Sequence, residues 1–542
     1  MKKLNFTKIF TIAFYLLFFL LLLKNSLGYL DPDLGWHLKA GEEVVKTKEV
    51  NRINHYNYVF GDQSTWVNHE WLSDSIMFLV YDNFGYFTLN VLFALIILLT
   101  IIIAHGFIIK NFIKDKRSFL VLLSLTLLGL ISCQPHFGIR VQELSILFLL
   151  LELICIYNFE KSSIKKEKNS WKKLIPILII IIFWTNMHGS FLLGIFILFF
   201  YLFIKIFETL FFYLKNKNQK INKIGSFFNF ENLIEKKYLK IFFVFSLIST
   251  FLTIINPYGL KLFDFLFSYK NNAYLTIISE WLPQYYYPFL YWQILYIAII
   301  LAIIIISFLL YKNKPKINSV WNLSLIFLFT ILAIKSRRHF LLLFISSLPF
   351  VSFFLYEEIK TFLENIKFKK TKLDIFIKTY ILLIFLFVFA LLIINIKIIK
   401  NPFNHFCNNY PCEALKFIKN DIDLASAKIF NSYGWGGYLI HEWPEKQIFI
   451  DGRLPQKKIN NHSYLEEYLM FTKKEEMAKK IEEYKIELFI LEKIKNKKLN
   501  WIDKKIIGVK EKTDQKNFLL EFLDRNYNKI YEDEVSLIYF KK

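Results

Sequence analysis

Apolar residues fall in long unbroken runs near residues 7–27, 87–109, 118–133, 141–158, 174–187, 190–207, 240–256, 289–311, 320–335, 339–356 and 375–397. A bilayer span takes about 20 consecutive apolar residues, so the pattern predicts about eleven membrane helices. The first run, "IFTIAFYLLFFLLLL", follows Met-Lys-Lys, is longer than a secretory leader core and ends without a small-residue cleavage site, so it is expected to stay as an anchor. Beyond Asn395 the pattern changes. "LFILEKI" and "YLIHEW" alternate as strands do, "KQIFI" reads as a strand closed by an Asp451-Gly452 turn, and "EEMAKKIEEYK" has helical spacing. The expected architecture is an α-helical polytopic membrane domain over residues 1–397, with a first outer loop at 28–86, followed by a small extracytoplasmic α/β domain over 398–542.

Composition supports this division. Of 542 residues 55% are hydrophobic, 60 are Phe, and the mean hydropathy is +0.37, which is foreign to a soluble protein. The net charge of +23 comes almost entirely from Lys scattered through short loops beside Asn and Ile, not from a basic face interleaved with aromatics. Nucleic acid is therefore not an expected partner. Lys-rich segments such as "KNFIKDKR", "EKSSIKKEKNSWKK", "KNKPK" and "KFKKTK" occupy alternate connections, which assigns them to the cytoplasm by the positive-inside rule. The N-terminus then lies in the cytoplasm and the tail outside the cytoplasmic membrane. Four cysteines in so long a chain exclude a disulfide scaffold; only Cys407 and Cys412 lie in a polar stretch, where a local bridge is one option.

The remaining connections share an unusual chemistry. They read "DPDLGWHLKAGE" with "VNHEWL", "QPHFGIR", "TNMHGS", "NPYG" with "SEWLP", and "KSRRHF". Asp31, Asp33, His37, His69, Glu70, Arg140, His188, Glu280, Arg337 and Arg338 all fall in them, and arginines on this face run against the positive-inside rule. Pro32 stiffens the turn that presents Asp31 and Asp33, and two such carboxylates suit Mg2+ or Mn2+ beside a phosphate. The alternative is a helix stop, with Asp33 capping the next helix. His69 and Glu70 can shuttle a proton, or be a solvated pair. His188 is a ligand or an interhelical hydrogen-bond partner. Arg337, Arg338 and Arg140 suit a lipid-linked phosphate through their planar donor forks, or else snorkel to headgroups.

An acidic "DPD" after the first run, the span count, an amphipathic first outer loop and an extracytoplasmic tail resemble the GT-C superfamily of integral membrane glycosyltransferases, which includes protein O-mannosyltransferases and oligosaccharyltransferases. The resemblance implies a polyprenyl-phosphate sugar donor, a glycan, lipid or protein acceptor, a contact with membrane lipid, and a divalent cation (Mg2+ or Mn2+) as cofactor. It implies catalytic roles for Asp31, Asp33, Glu70, His69 and His188, with Asp31 and Asp33 holding the metal, and a donor phosphate site at Arg337, Arg338 and Arg140. "FNSYGWGGYLIHEWPEKQIFIDGR" is loosely similar to the aromatic-glycine signature of oligosaccharyltransferase tails but departs from W-W-D-Y-G. Gly434, Gly436 and Gly437 read equally as a tight turn or close packing. A transporter or flippase of lipid-linked sugars and a non-catalytic scaffold are the rival readings. The first is disfavoured by spans whose middles carry almost no charge, the second by the clustering of His, Arg and Asp.

Overall fold

The structure, a computed structural model, describes residues 6–61, 64–112, 116–217, 233–270, 274–310, 320–365, 379, 406–459, 461–493, 502–506 and 517–542. Helices occupy α1 Phe6–Leu27, α2 Leu34–Thr47, α3 Trp71–Asn111, α4 Lys116–Cys133, α5 Gln142–Ile164, α6 Ile175–Met187, α7 Phe191–Lys217, α8 Lys236–Leu252, α9 Lys261–Phe267, α10 Tyr291–Leu310, α11 Val320–Lys335 and α12 Phe340–Asn365. The predicted apolar runs up to residue 356 are thus helical, and the run at 375–397 lies outside the described residues. By length and composition α3, α5, the Ser170–Met187 stretch containing α6, and Phe191–Leu214 of α7 are each able to cross a bilayer, with shorter apolar helices at Thr11–Leu27, Val121–His136, Tyr291–Ile306 and Val320–Lys335. The chain is a multi-pass membrane protein.

Local chemistry fixes several helix ends. Pro176 stands in the first turn of α6, where a missing amide donor costs nothing. That helix stops at Met187 because His188 is extended. Gly85, at φ 77°, interrupts α3 in the left-handed region that glycine enters without a Cβ clash.

The chain forms two compact units, the first comprising Met1–Gly28, Phe87–Asp264 and Leu275–Ile398, the second Tyr29–Tyr86, Phe265–Tyr274 and Ile399–Lys542. The first is a helical bundle, in which α12 packs on α11, α4 and α10, and α5 packs on α6. The second joins loop 28–86 to the tail. Its sheet has the order β1-β2-β4-β3, with β1 Ile429–Asn431, β2 Leu488–Glu492, β3 Tyr527–Glu532 and β4 Ser536–Lys541. β1 runs parallel to β2, with Ile429 opposite Leu488, and the other pairs are antiparallel. The predicted strand "LFILEKI" supplies β2, buried from Leu488 to Leu491, and "EEMAKKIEEYK" supplies a helix at Met477–Tyr484. A disulfide joins Cys407 and Cys412.

Two expected strands are not strands. "YLIHEW" lies mainly in a helix, Gly436–Glu442 (α13), with Tyr438, Leu439 and Ile440 all buried, a consecutive burial that a strand packed on one face does not give. In "KQIFI" the amides of Phe449 and Ile450 donate to Oδ1 of Asn431 at 3.0 and 3.2 Å, so a buried side chain takes the place of a partner strand.

Candidate functional site

In the second unit the Asp31-Pro32-Asp33 turn is gripped from several sides. The Asp33 amide donates to Asp31 Oδ1 at 2.9 Å, which closes the turn on itself. Asp33 occupies the N-cap position of α2 but makes no side-chain capping bond; its Oδ1 accepts the Trp36 indole N–H at 2.9 Å instead. The capping alternative thus describes the position of Asp33 and not the use of its carboxylate. Just upstream, the Tyr410 hydroxyl, inside the disulfide loop, donates to the Leu30 carbonyl at 3.1 Å. The tail glycines close the grip. α13 lies so close to α2 that a Cβ on Gly437 would stand 2.2 Å from the Pro32 carbonyl oxygen, and one on Gly35 would stand 2.1 Å from the Gly437 carbonyl oxygen. A Cβ on Gly452 would stand 2.2 Å from Asp33 Oδ1.

Gly452 is held there by its neighbours. Arg453, 3% exposed, pairs with Asp451 at 2.8 Å and donates to Oδ1 of Asn54 and Asn57 at 3.1 and 3.0 Å. Its guanidinium sits 4.4 Å from the Tyr56 ring centroid and 4.6 Å from that of Trp66. A buried charge so paired, hydrogen-bonded and set against two aromatic rings ties the loop to the tail.

Next to this turn lies a buried acid–imidazole group. α2 carries His37, whose Nδ1 is 2.6 Å from Asp74 Oδ1 at the start of α3. Asn68 donates to the other Asp74 oxygen at 2.9 Å. His37 Nε2 is 4.0 Å from Glu70 Oε2, and His69 Nε2 is 3.6 Å from Glu70 Oε1. Trp36 stacks on His37 with ring centroids 3.6 Å apart. Burial alone would lower the His37 pKa, but Asp74, Glu70 and Asp33 together overcome it and raise the value to about 9. An imidazolium so held stabilises the fold below the ordinary His value near 6.5, and that contribution is lost as pH rises towards about 9. Unfolding of the full chain is therefore expected to become easier by up to a few kcal/mol across this window. His37→Asn should flatten the profile, and a flat wild-type profile would refute the charged imidazole.

The first unit holds the remaining groups. Arg140 Nη1 is 2.5 Å from Glu280 Oε1. Burial would raise the Glu280 carboxyl, but Arg140, Arg338 and His136 hold it below its ordinary range. Arg338 is partly exposed and lies over the Trp281 ring, 4.8 Å from its centroid. Arg337 is 2% exposed and donates to the carbonyls of Ser279, at 3.3 Å, and of Tyr286. Its fork is occupied by backbone, which makes it a clamp on the 279–286 loop. His188 Nδ1 lies 2.9 Å from Ser145 Oγ and 2.6 Å from Ser190 Oγ, and both hydroxyls accept the Trp184 indole N–H. His188 therefore belongs to a polar network that links α5 and α6 through the 188–190 turn.

Among the described residues no group of three or more His, Cys, Asp and Glu is placed to hold a metal ion. Asp31 and Asp33 present two carboxylates from one stiff, partly exposed turn. That donor set fits Mg2+, which commonly takes one or two carboxylates and completes its shell with water and substrate phosphate. Sequence reasoning named Asp31, Asp33, His69 and Glu70, which all fall in the second unit. It missed Asp74, Asn68, Arg453, Asn54 and Asn57.

No protein-family model matches the chain, and no curated protein matches it in sequence. Solved structures do match in fold. The oligosaccharyltransferase AglB of Archaeoglobus fulgidus, in complex with an inhibitory peptide and a dolichol-phosphate, superposes with a TM-score of 0.54 at 12% identity, covering 90% of this chain and 70% of that one. The apo form of the A. fulgidus oligosaccharyltransferase gives a TM-score of 0.52 at 12% identity with the same coverage. The form tethered to an acceptor peptide containing the NVT sequon gives 0.54 at 10% identity, over 88% of this chain and 68% of that one.

Proposed function

We propose that this chain, with the fold of an oligosaccharyltransferase of the GT-C type, is a membrane glycosyltransferase that moves a sugar from a polyprenyl-phosphate donor to an acceptor at the outer face of the cytoplasmic membrane. The observation that carries the reading is the acidic turn. A surface loop with no task has no need of Tyr410 on the Leu30 carbonyl, Gly437 against the Pro32 carbonyl and Gly452 against the Asp33 carboxylate. The dolichol-phosphate bound in the AglB structure supports a lipid-linked phosphate as donor.

In this reaction the acceptor hydroxyl attacks the anomeric carbon, the bond from that carbon to the phosphate oxygen breaks, and the hydroxyl proton passes to a carboxylate. Glu70 is the base, with His37 and His69 beside it setting its orientation and charge. Asp31 and Asp33 would hold a divalent cation, which would supply positive charge for a phosphate. In the first unit Arg338, beside the Arg140–Glu280 pair, binds polyprenyl phosphate through charge-assisted hydrogen bonds.

The two adjacent arginines separate the roles. Arg338→Lys keeps the charge but loses the fork, and transfer should fall roughly tenfold or more through weaker donor binding, with thermal stability unchanged. Arg337→Lys should instead lower thermal stability, because the buried guanidinium that bridges the Ser279 and Tyr286 carbonyls is lost. Equal transfer by the wild type and Arg338→Lys, measured at limiting polyprenyl-phosphate sugar, would remove the phosphate role.

A further inference from the structure

Glu152 stands at the middle of α5 and is 0% exposed. Neither of its carboxyl oxygens has a hydrogen-bond partner among the described residues. Oε2 lies against the backbone of Gly194 in α7; a Cβ there would come within 2.9 Å of it and 2.7 Å of the Trp184 ring of α6. The same bundle shows what a satisfied buried charge looks like. Lys205 Nζ is 2.6 Å from Glu160 Oε1 and 2.8 Å from Glu208 Oε2, and a cation between two carboxylates needs no solvent.

Among the described residues nothing comparable reaches Glu152. α6 offers the indole ring of Trp184, and α7 offers a glycine. Cys155, less than one turn away on the same helix, adds no positive charge. Among the described residues of α5, α6, α7 and α12, no Lys, Arg or His is set against it. The polar network of Ser145 and His188 lies two turns along α5 and is saturated by its own hydrogen bonds. An ionised carboxylate in such surroundings is heavily disfavoured, and an ionisable group inside a membrane span is a functional site by default. This also qualifies the expectation that the span middles carry almost no charge.

We infer that Glu152 is an intramembrane proton-binding site, a carboxylic acid that the α5–α6–α7 bundle keeps protonated at neutral pH. The ligand is a proton, and its loss requires either a cation or new hydrogen-bond donors to reach the carboxylate. Protonation of Glu152 is thereby linked to the packing of these three helices, because the close contact at Gly194 leaves no room for such a donor in the arrangement seen.

Infrared spectroscopy of the purified full chain in lipid bilayers, titrated from mildly acidic to mildly alkaline pH in H2O and D2O, reads the proton directly. The expected result is a protonated-carboxyl C=O band that persists through neutral pH, shifts in D2O and disappears in Glu152→Gln. Glu152→Asp should retain the band at an altered frequency, which identifies the residue even if the Gln variant does not fold. A wild-type band that titrates away in the ordinary carboxylate range, near about pH 4.3, would overturn the assignment. So would an undiminished band in folded Glu152→Gln.

Discussion

Gly437→Ala should unfold the second unit more easily, although alanine is the better helix former by about 1 kcal/mol. The added methyl would stand 2.2 Å from the Pro32 carbonyl oxygen, which is backbone and cannot swing aside. Relief requires α13 to move away from α2, and overpacking of this kind costs about 1–3 kcal/mol. Gly452→Ala is the informative contrast. Its methyl would meet Asp33 Oδ1 at 2.2 Å, the end of a side chain. The carboxylate can turn, at the loss of the Trp36 hydrogen bond, so the fold should survive while transfer collapses. Thermal unfolding and transfer assays on both variants separate the outcomes. Full activity in Gly452→Ala would show that the orientation of Asp33 does not matter.

Asp31→Asn and Asp33→Asn should each leave the protein folded and reduce transfer by about 100-fold or more, the scale seen when a group that stabilises developing charge is removed. Asparagine keeps the shape and keeps an oxygen able to accept from the Asp33 amide or the Trp36 indole. It removes only the negative charge. Were Asp33 merely a helix cap, asparagine would serve as well as aspartate. The missing capping bond in the structure already favours the other outcome.

The apolar runs, the acidic turn and the His69-Glu70 pair were legible because each is a local pattern, a stretch of uniform hydropathy or a polar cluster at its end. The supports of the turn were not. Asn57 and Asp451 are bonded across 394 positions, and nothing near either residue announces the other. The tail glycines were visible as a motif, but whether they marked a turn or close packing depended on α2, whose identity as a partner of α13 is a tertiary fact. "YLIHEW" misled because its alternation is equally that of a short helix buried over consecutive residues. The adjacent arginines look alike in sequence; only the carbonyls of Ser279 and Tyr286 distinguish the clamp Arg337 from Arg338.

The most direct test of sugar transfer is to incubate the purified full chain in lipid with isotope-labelled polyprenyl-phosphate sugars and a panel of glycan, lipid and peptide acceptors, and to measure release of polyprenyl phosphate together with labelled product. The expected result is coupled release and transfer for one donor class by the wild type, lost in Asp33→Asn and weakened in Arg338→Lys. Equal release by wild type and Asp33→Asn, or no release from any donor by a folded wild-type protein, would contradict it.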